Sequence, residues 1–228
     1  MSQITDKSAY ILHVRDYGDS SKIADIITPD FGKLSLLIKG VKKNHKKAGL
    51  VQPFLPLILS WGGNGELKTN SALEPAGPPL MLKGDRLFCG LYLNELTLRL
   101  IKPYDHNPEV FELYHQTLQQ LPFVSLEPLL RRYEKQILDL LGDGLMLDQD
   151  VYGNEIDSSK LYEYSVDNGA RPVERKGEAL VVCGEDLLLL KSEGFESAND
   201  LKGVKQFMRS IIRCYIGDRP LRSRELFR

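Results

Sequence analysis

From Tyr10 to Leu73 the apolar positions come in short runs that alternate with polar ones and break at turn residues, the pattern of half-buried strands. Strands are expected near Ala9–Asp16, Lys22–Thr28, Gly32–Lys39, Phe54–Ser60 and Gly65–Leu73. Tyr17-Gly18-Asp19-Ser20, Thr28-Pro29-Asp30-Phe31-Gly32 and Trp61-Gly62-Gly63-Asn64-Gly65 supply the turns, glycine permitting positive φ and proline fixing it. Five strands with a longer excursion after the third fit a five-stranded Greek-key barrel, the OB-fold, better than an open sheet. Pro53 and Pro56 are tolerable at a strand start or an edge.

Three prolines and a glycine in Glu74-Pro75-Ala76-Gly77-Pro78-Pro79 interrupt any regular backbone, and beyond them the period becomes helical. The expected division is therefore a barrel domain over 1–80 and a helical domain over 81–228, an α+β architecture. Leu87, Leu91, Leu93, Leu96, Leu98 and Leu100 predict a helix over Asp85–Ile101 that is apolar around much of its circumference and hence central. Asn107-Pro108-Glu109 combines a capping side chain, a residue needing no amide bond and a charge that suits the positive helix end, so a second helix runs to Gln120. A third spans Leu126–Leu141 and stops at Gly142. Residues 143–180 read as an irregular insertion with one short strand at Leu161–Ser165, followed by helices over Glu185–Lys191 and Asp200–Ile216.

Charge changes the picture more than composition does. With 42% apolar and 27% charged residues and a net charge of -1, the 228-residue chain is ordinary globular protein. Residues 1–80 nevertheless hold 10 Lys and Arg against 7 Asp and Glu, leaving 20 against 24 for the rest. Any nucleic-acid site must therefore be a local patch. The densest patch is Lys33 to Ala48, KLSLLIKGVKKNHKKA, whose Lys39, Lys42, Lys43, Lys46 and Lys47 repel one another unless solvent, salt or a polyanion screens them. Arg15 and Lys68 on predicted barrel strands, and Arg219, Arg222, Arg224 and Arg228 at the C-terminus, add to it. OB grooves pair such a basic track with stacking aromatics, here Tyr17, Phe31 or Phe54. Each cation also fits a solvated face.

The other candidate chemistries fall short on spacing. Cys89, Cys183 and Cys214 lie far apart, which suits buried thiols and removes a thiolate zinc site or a disulfide framework. In Gly62-Gly63-Asn64-Gly65-Glu66-Leu67-Lys68 two residues separate the last glycine from the lysine, so a hairpin turn is favoured over a phosphate loop. Asp30-Phe31-Gly32 matches a kinase tripeptide without the rest of that signature. Asp148-x-Asp150-x-Tyr152-Gly153 opens like a calcium loop but puts Tyr152 at the fifth position, an oxygen donor's place, and Ser159 where the bidentate glutamate belongs. His106, Glu109, Glu112 and His115 drift around a helix, and Asp143, Asp148 and Asp150 could hold two metals only without motif support. No catalytic or metal site and no cofactor is expected. Arg131-Arg132 stays open: a surface pair that receives a partner's acidic, apolar tail, or an internal pairing with Glu127 or Glu134. The N-terminal stretch lacks a signal core and no apolar run is long enough to span a bilayer, so a cytoplasmic protein without membrane contact is expected.

Several segments, in order, carry a resemblance: AYILHVRDYGDSSKIADIITPDFGKLSLLIKGVKK, GLVQPFLPLILSWGGNGELKT, LYLNEL, LRRYE and the closing RPLRSRELFR. Together they resemble the bacterial RecO family of recombination mediators and DNA repair proteins over nearly the entire chain. The resemblance implies an N-terminal OB-fold, a helical domain and no enzymatic turnover. It further implies binding of single- and double-stranded DNA, annealing of complementary strands, and loading of recombinase on DNA coated by single-stranded-DNA-binding protein. RecR and the acidic C-terminal tail of the single-stranded-DNA-binding protein are the implied partners. Carried over, Lys39–Lys47 with Lys33 and Lys68 becomes the DNA track, and Arg131 becomes the tail pocket. Many relatives hold zinc through four cysteines after the third helix, where this chain has MLDQDVYGNE and no cysteine. An RNA-binding OB protein and a metal-dependent nuclease are the rival readings.

Overall fold

Alternation of buried and half-exposed residues along the first five strands closes them into a barrel. In the computed structural model, which describes residues 3–175, 180–198, 200–217 and 219–227, these are β1 (Ile4–Tyr17), β2 (Ser21–Thr28), β3 (Gly32–Ile38), β4 (Leu57–Gly62) and β5 (Leu67–Pro75). Their order around the barrel is β1-β2-β3-β5-β4, with β3 and β5 parallel and the other pairs antiparallel. This is the expected OB-fold. Inward positions such as Ile11, Ile26, Leu34, Leu36, Leu57 and Leu59 are at most 3% exposed. Burial of each such side chain is worth roughly 1.5–3 kcal/mol.

β1 is longer than the alternation predicts because it serves two neighbours. Ile4–Ala9 pairs with β4 and Tyr10–Tyr17 with β2, with a register shift within each half, the bending device that lets one strand cross a barrel corner. β4 begins three residues later than expected. Phe54 takes a left-handed φ of 63° between Pro53 and Pro56, and pairing resumes only past the second proline. The excursion after β3 is helical: a 3-10 turn at Val41–Lys43 and α1 (His45–Leu50), capped by Asn44 Oδ1, which accepts the Lys47 amide at 3.1 Å. Val41, Val51 and Leu55 join the barrel core, so the lysines between them are carried on an anchored segment.

The chain packs as two units, Met1–Pro122 with Leu221–Arg228, and Phe123–Pro220. This spatial division differs from the expected segments 1–80 and 81–228, for a physical reason. α2 (Asp85–Leu100) and α3 (Pro108–Gln120) cover the outer face of β1 and β2, where Tyr10, Leu12 and Ile27 are apolar on the side opposite the barrel core. Asn94, 2% exposed, donates to the Leu12 carbonyl at 3.0 Å and accepts the Tyr114 hydroxyl at 2.6 Å, tying barrel, α2 and α3 together. Tyr10 meets Tyr114 edge-on at 5.5 Å and shares a hydrogen with His115 Nδ1 at 2.7 Å.

The C-terminal segment returns to this unit as a 3-10 turn, Arg222–Phe227, against α2. Glu95 accepts the amides of Arg222 and Ser223 at 2.9 and 2.8 Å and the Ser223 hydroxyl at 2.6 Å. The Arg224 guanidinium lies 5.7 Å from the Tyr92 ring centroid. Partial burial opposes ionisation of Glu95, but these hydrogen bonds and nearby Arg99 outweigh it and hold the carboxyl below its usual range. Because the group is more acidic folded than unfolded, its contribution is complete above the unfolded value and disappears as pH falls through the lower folded one. Glu95→Gln is expected to cost about 1–2 kcal/mol at pH 7. The deficit should shrink below about pH 4, as followed by urea unfolding across pH.

The second unit contains α4 (Leu126–Leu140), β6 (Leu161–Ser165), β7 (Gly169–Val173), β8 (Val181–Cys183), α5 (Gly184–Ser192) and α6 (Lys202–Ile216). Residues 143–180, expected to be irregular but for one strand, contribute to a three-stranded antiparallel sheet of order β7-β6-β8. The overlooked signal is Asn168-Gly169, a tight-turn dipeptide whose glycine has φ 82°. Side chains acting on backbone amides organise the loops around that sheet. Asp150 Oδ1 accepts the amides of Tyr152 and Asn154, each at 2.9 Å. The Tyr162 and Tyr164 hydroxyls accept those of Asp157 and Met146 at 2.8 and 2.9 Å. Burial pushes the Tyr164 phenol up to about 12, so it remains neutral.

Candidate nucleic-acid interface

The excursion after β3, made of the 3-10 turn and α1, displays its lysines outward because Val41 is the residue these two turns bury. Lys39, Lys43 and Lys46 are exposed, and among the described residues no carboxylate pairs with them. Lys42 is partly neutralised by Asp16 at 3.0 Å, an ion pair that draws the Asp16 carboxyl down through its hydrogen bond. Its amide also donates to the Ser20 carbonyl at 3.1 Å, which fastens the excursion to the β1–β2 turn. Lys47 Nζ donates to the Lys39 carbonyl at 3.0 Å. Tyr17 ends β1 beside this turn, half exposed at 51%. An aromatic ring and several cations are thus held at the first barrel turn.

The remaining barrel cations are more constrained. Lys33 Nζ donates to the Leu98 carbonyl at 2.7 Å near the end of α2, and desolvation draws its pKa down. This ammonium satisfies a helix terminus rather than facing solvent freely. Arg15 Nη1 lies 3.7 Å from Asp25, which also accepts Ser35 Oγ at 2.5 Å. A carboxylate therefore sits in the middle of the β2–β3 face and offsets the arginine. Lys68 Nζ donates to the Gly63 carbonyl at 3.1 Å and lies 5.6 Å from the ring centroid of Tyr104, an aromatic that sequence reasoning passed over. Of the other aromatics considered, Phe54 is buried against Gly90 of α2, which removes it from solvent, and the partly buried Phe31 meets Trp61 edge-on at 5.4 Å.

Arg131 and Arg132 separate. Arg131 is 3% exposed, with Nη2 at 2.9 Å from Glu134 and Nε at 3.4 Å from Glu127. Internal pairing, one of the two open readings, is what the geometry shows, and the expectation of a surface pocket at Arg131 needs correction. The α4 stripe of Leu130, Tyr133 and Ile137 turns inward and carries Arg131 with it. Arg132 is partly exposed, engages Glu196 at 2.7 and 2.8 Å, and lies 5.9 Å from the Phe195 ring centroid.

The acidic candidates have local duties. Asp150 holds the loop amides, Asp148 pairs with Lys191 at 2.9 Å, and the Asp143 carbonyl accepts Tyr215 Oη at 3.2 Å. Among the described residues no group of three or more His, Cys, Asp or Glu is placed to hold a metal ion, and no helix is long and apolar enough to cross a membrane. Arg222 and Arg224 belong to the returning 3-10 turn, whereas Arg228 lies outside the described residues.

Comparison with known proteins decides the family. The model for the N-terminal part of recombination protein O matches residues 1–79, and that for its C-terminal part matches residues 81–225. This chain belongs to the RecO family. It is 40% identical over 228 residues to the DNA repair protein RecO of Pseudomonas aeruginosa strain PAO1, covering 100% of this chain and 96% of the relative. It is 38% identical over 223 residues to that of Alkalilimnicola ehrlichii (96% and 89% covered) and 38% over 230 residues to that of Methylococcus capsulatus (100% and 94% covered). The RecO assignment makes this a DNA repair and recombination protein, a mediator rather than a catalyst. Much of what marks the chain as RecO is structural. Tyr92, Asn94 and Glu95 of LYLNEL receive Arg224, the barrel and the C-terminal turn, and Arg131 and Glu134 of LRRYE pair with each other.

Proposed function

We propose that this RecO protein binds single- and double-stranded DNA through the lysines of the β3–α1 excursion, anneals complementary strands, and helps load recombinase on DNA coated by single-stranded-DNA-binding protein. The observation that carries the reading is Lys39, Lys43 and Lys46, exposed and without carboxylate partners among the described residues, on a segment anchored to an OB barrel. Such a surface lowers the repulsion between two phosphate backbones and releases condensed counterions, so complementary strands can lie side by side until they pair. Base identity is then read by the strands themselves, and no bond chemistry is needed.

Lys42, Lys47, Lys68 and Arg15 extend this track, with Lys42 and Arg15 tempered by Asp16 and Asp25; Lys33 contributes from its place beside α2. RecR and the acidic tail of the single-stranded-DNA-binding protein are the proposed partners. For the tail, Arg132 is the more accessible of the two arginines; Glu193 also holds it, at 3.5 Å, and an incoming carboxylate would replace Glu196, itself largely exposed. The protein acts in the cytoplasm on the nucleoid, as a monomer.

Converting Lys39, Lys43 and Lys46 to Ala is expected to lower affinity for a short single strand at moderate salt by roughly 10- to 100-fold. The slope of log K against log salt should fall by about 2–3, near 0.7–0.9 for each phosphate no longer neutralised. Fluorescence anisotropy over a salt series measures both, and an unchanged slope rejects the track. RNA of matched length competing better than DNA would instead favour the RNA-binding reading.

A further inference from the structure

Past the end of α2 the chain runs alongside the barrel before α3 begins. Pro103 bridges in parallel to Lys33 of β3, and the Tyr104 amide donates to the Lys33 carbonyl at 2.8 Å. The approach is close enough that a Cβ on Gly32 would fall 1.9 Å from the Asp105 carbonyl oxygen. Tyr104 is therefore rigidly placed, and its backbone is left-handed at φ 60°. That conformation is costly for an aromatic residue, whereas glycine or asparagine would supply the same amide bond with less strain.

What the costly residue adds is its ring. Tyr104 is 42% exposed, and its hydroxyl donates to the Glu66 carbonyl at 2.6 Å in the β4–β5 turn. Lys68 Nζ stands over the ring, while Lys102 and Leu67 nearby in sequence or in the turn are exposed. OB-folds engage strands through the β2–β3 face and the β1–β2 and β4–β5 loops. The first of those loops adjoins Tyr17 and, through the Lys42 amide on the Ser20 carbonyl, the lysine excursion that follows β3. The second, in this chain, carries a ring contributed from outside the barrel. Desolvation, with the exposed Glu66 carboxylate adding to it, raises the phenol pKa, so the hydroxyl stays a donor to the turn. A ring 42% exposed, with the Lys68 ammonium 5.6 Å from its centroid to meet the neighbouring phosphate, suits a nucleobase.

We infer that Tyr104, held by β3 and the β4–β5 turn, is a stacking platform for one unpaired base of single-stranded DNA, extending the barrel's track onto the α2–α3 connection. The inference rests on the DNA-binding reading of the barrel and adds to it a contact that phosphate attraction does not supply. Stacking one base on an aromatic ring is worth enough to make Tyr104→Leu weaken binding of an oligo-dT strand roughly 5- to 150-fold.

The test compares the full chain with Tyr104→Leu, Tyr104→Phe and the Lys39/Lys43/Lys46→Ala variant on two strands of equal length, one of thymidines and one wholly abasic. Tyr104→Leu should lose affinity for the thymidine strand alone, with its salt slope unchanged. Tyr104→Phe, which keeps the ring and gives up the hydroxyl bond, should stay within about 2-fold of the parent. The lysine variant should lose affinity and slope on both strands. Equal losses for Tyr104→Leu on both strands, or a loss in Tyr104→Phe as large as in Tyr104→Leu, overturns the stacking role in favour of simple support of the turn. Parental binding by Tyr104→Leu with a weakened lysine variant overturns this inference and leaves the barrel reading standing. A lysine variant that binds like the parent overturns both.

Discussion

Arg131→Met is expected to destabilise the second unit by roughly 3–5 kcal/mol, the usual cost of removing one partner of a buried ion pair. Glu134 is fully buried and Arg131 Nη2 lies 2.9 Å from it, so methionine would fill much of the arginine's volume while leaving the carboxylate without its guanidinium. The wild-type pairing is itself incomplete, since Arg131 Nη1 has no hydrogen-bond partner among the described residues. For that reason an apolar replacement of both residues, Arg131→Met with Glu134→Leu, should recover most of the loss. Urea unfolding of both variants checks this, and equal destabilisation by the single and double changes would contradict it. The outcome also bears on partner binding. A tail peptide that fails to bind an Arg131 variant would be reporting damage to α4, so the tail site has to be tested at Arg132, whose side chain is partly exposed.

Gly32→Ala should cost about 3 kcal/mol or more, through two effects that act together. The residue has φ 59°, where an L side chain is strained, and its new Cβ would meet backbone atoms of Asp105 at 1.9 and 2.7 Å. Backbone cannot swing aside as a flexible side chain can. The 103–105 segment would have to leave β3, taking with it the Tyr104 amide bond to Lys33. Gly18→Ala provides the control, because Gly18 has a similar φ of 56° with no atom of the described residues within 4 Å of the added carbon. It should cost only about 1 kcal/mol, the conformational part alone. Thermal and urea unfolding of the two variants separate strain from collision, and similar costs would show that the close approach to Asp105 is immaterial.

Part of the candidate site was legible in the residues. The lysines between Lys39 and Lys47 stand out because charge density survives folding: a cation with no acidic residue near it in sequence stays at the surface whatever the topology. Asn107-Pro108 announced α3 because capping depends on neighbours along the chain, and Asn107 Oδ1 does accept the Val110 amide at 3.2 Å. The Asn168-Gly169 turn was equally local and was overlooked against a polar, weakly periodic background.

Other assignments could not be made locally. Whether Lys33 faces solvent depends on Leu98, 65 residues away, and whether Arg15 is free depends on Asp25 across a strand pair. Phe54 looked like a stacking aromatic until α2 covered it. Tyr104 looked like a loop residue until β3 and the β4–β5 turn took hold of it.

By itself the sequence determined the five-strand order of elements, the helices that follow and the family, because alternation, capping and turn chemistry act over a few residues. Only the tertiary structure decided which cations are spent on internal carboxylates and carbonyls and which remain for a polyanion. That partition is set by desolvation and by partners brought together from distant parts of the chain, as Glu134 reaches Arg131, Leu98 reaches Lys33 and Glu66 reaches Tyr104.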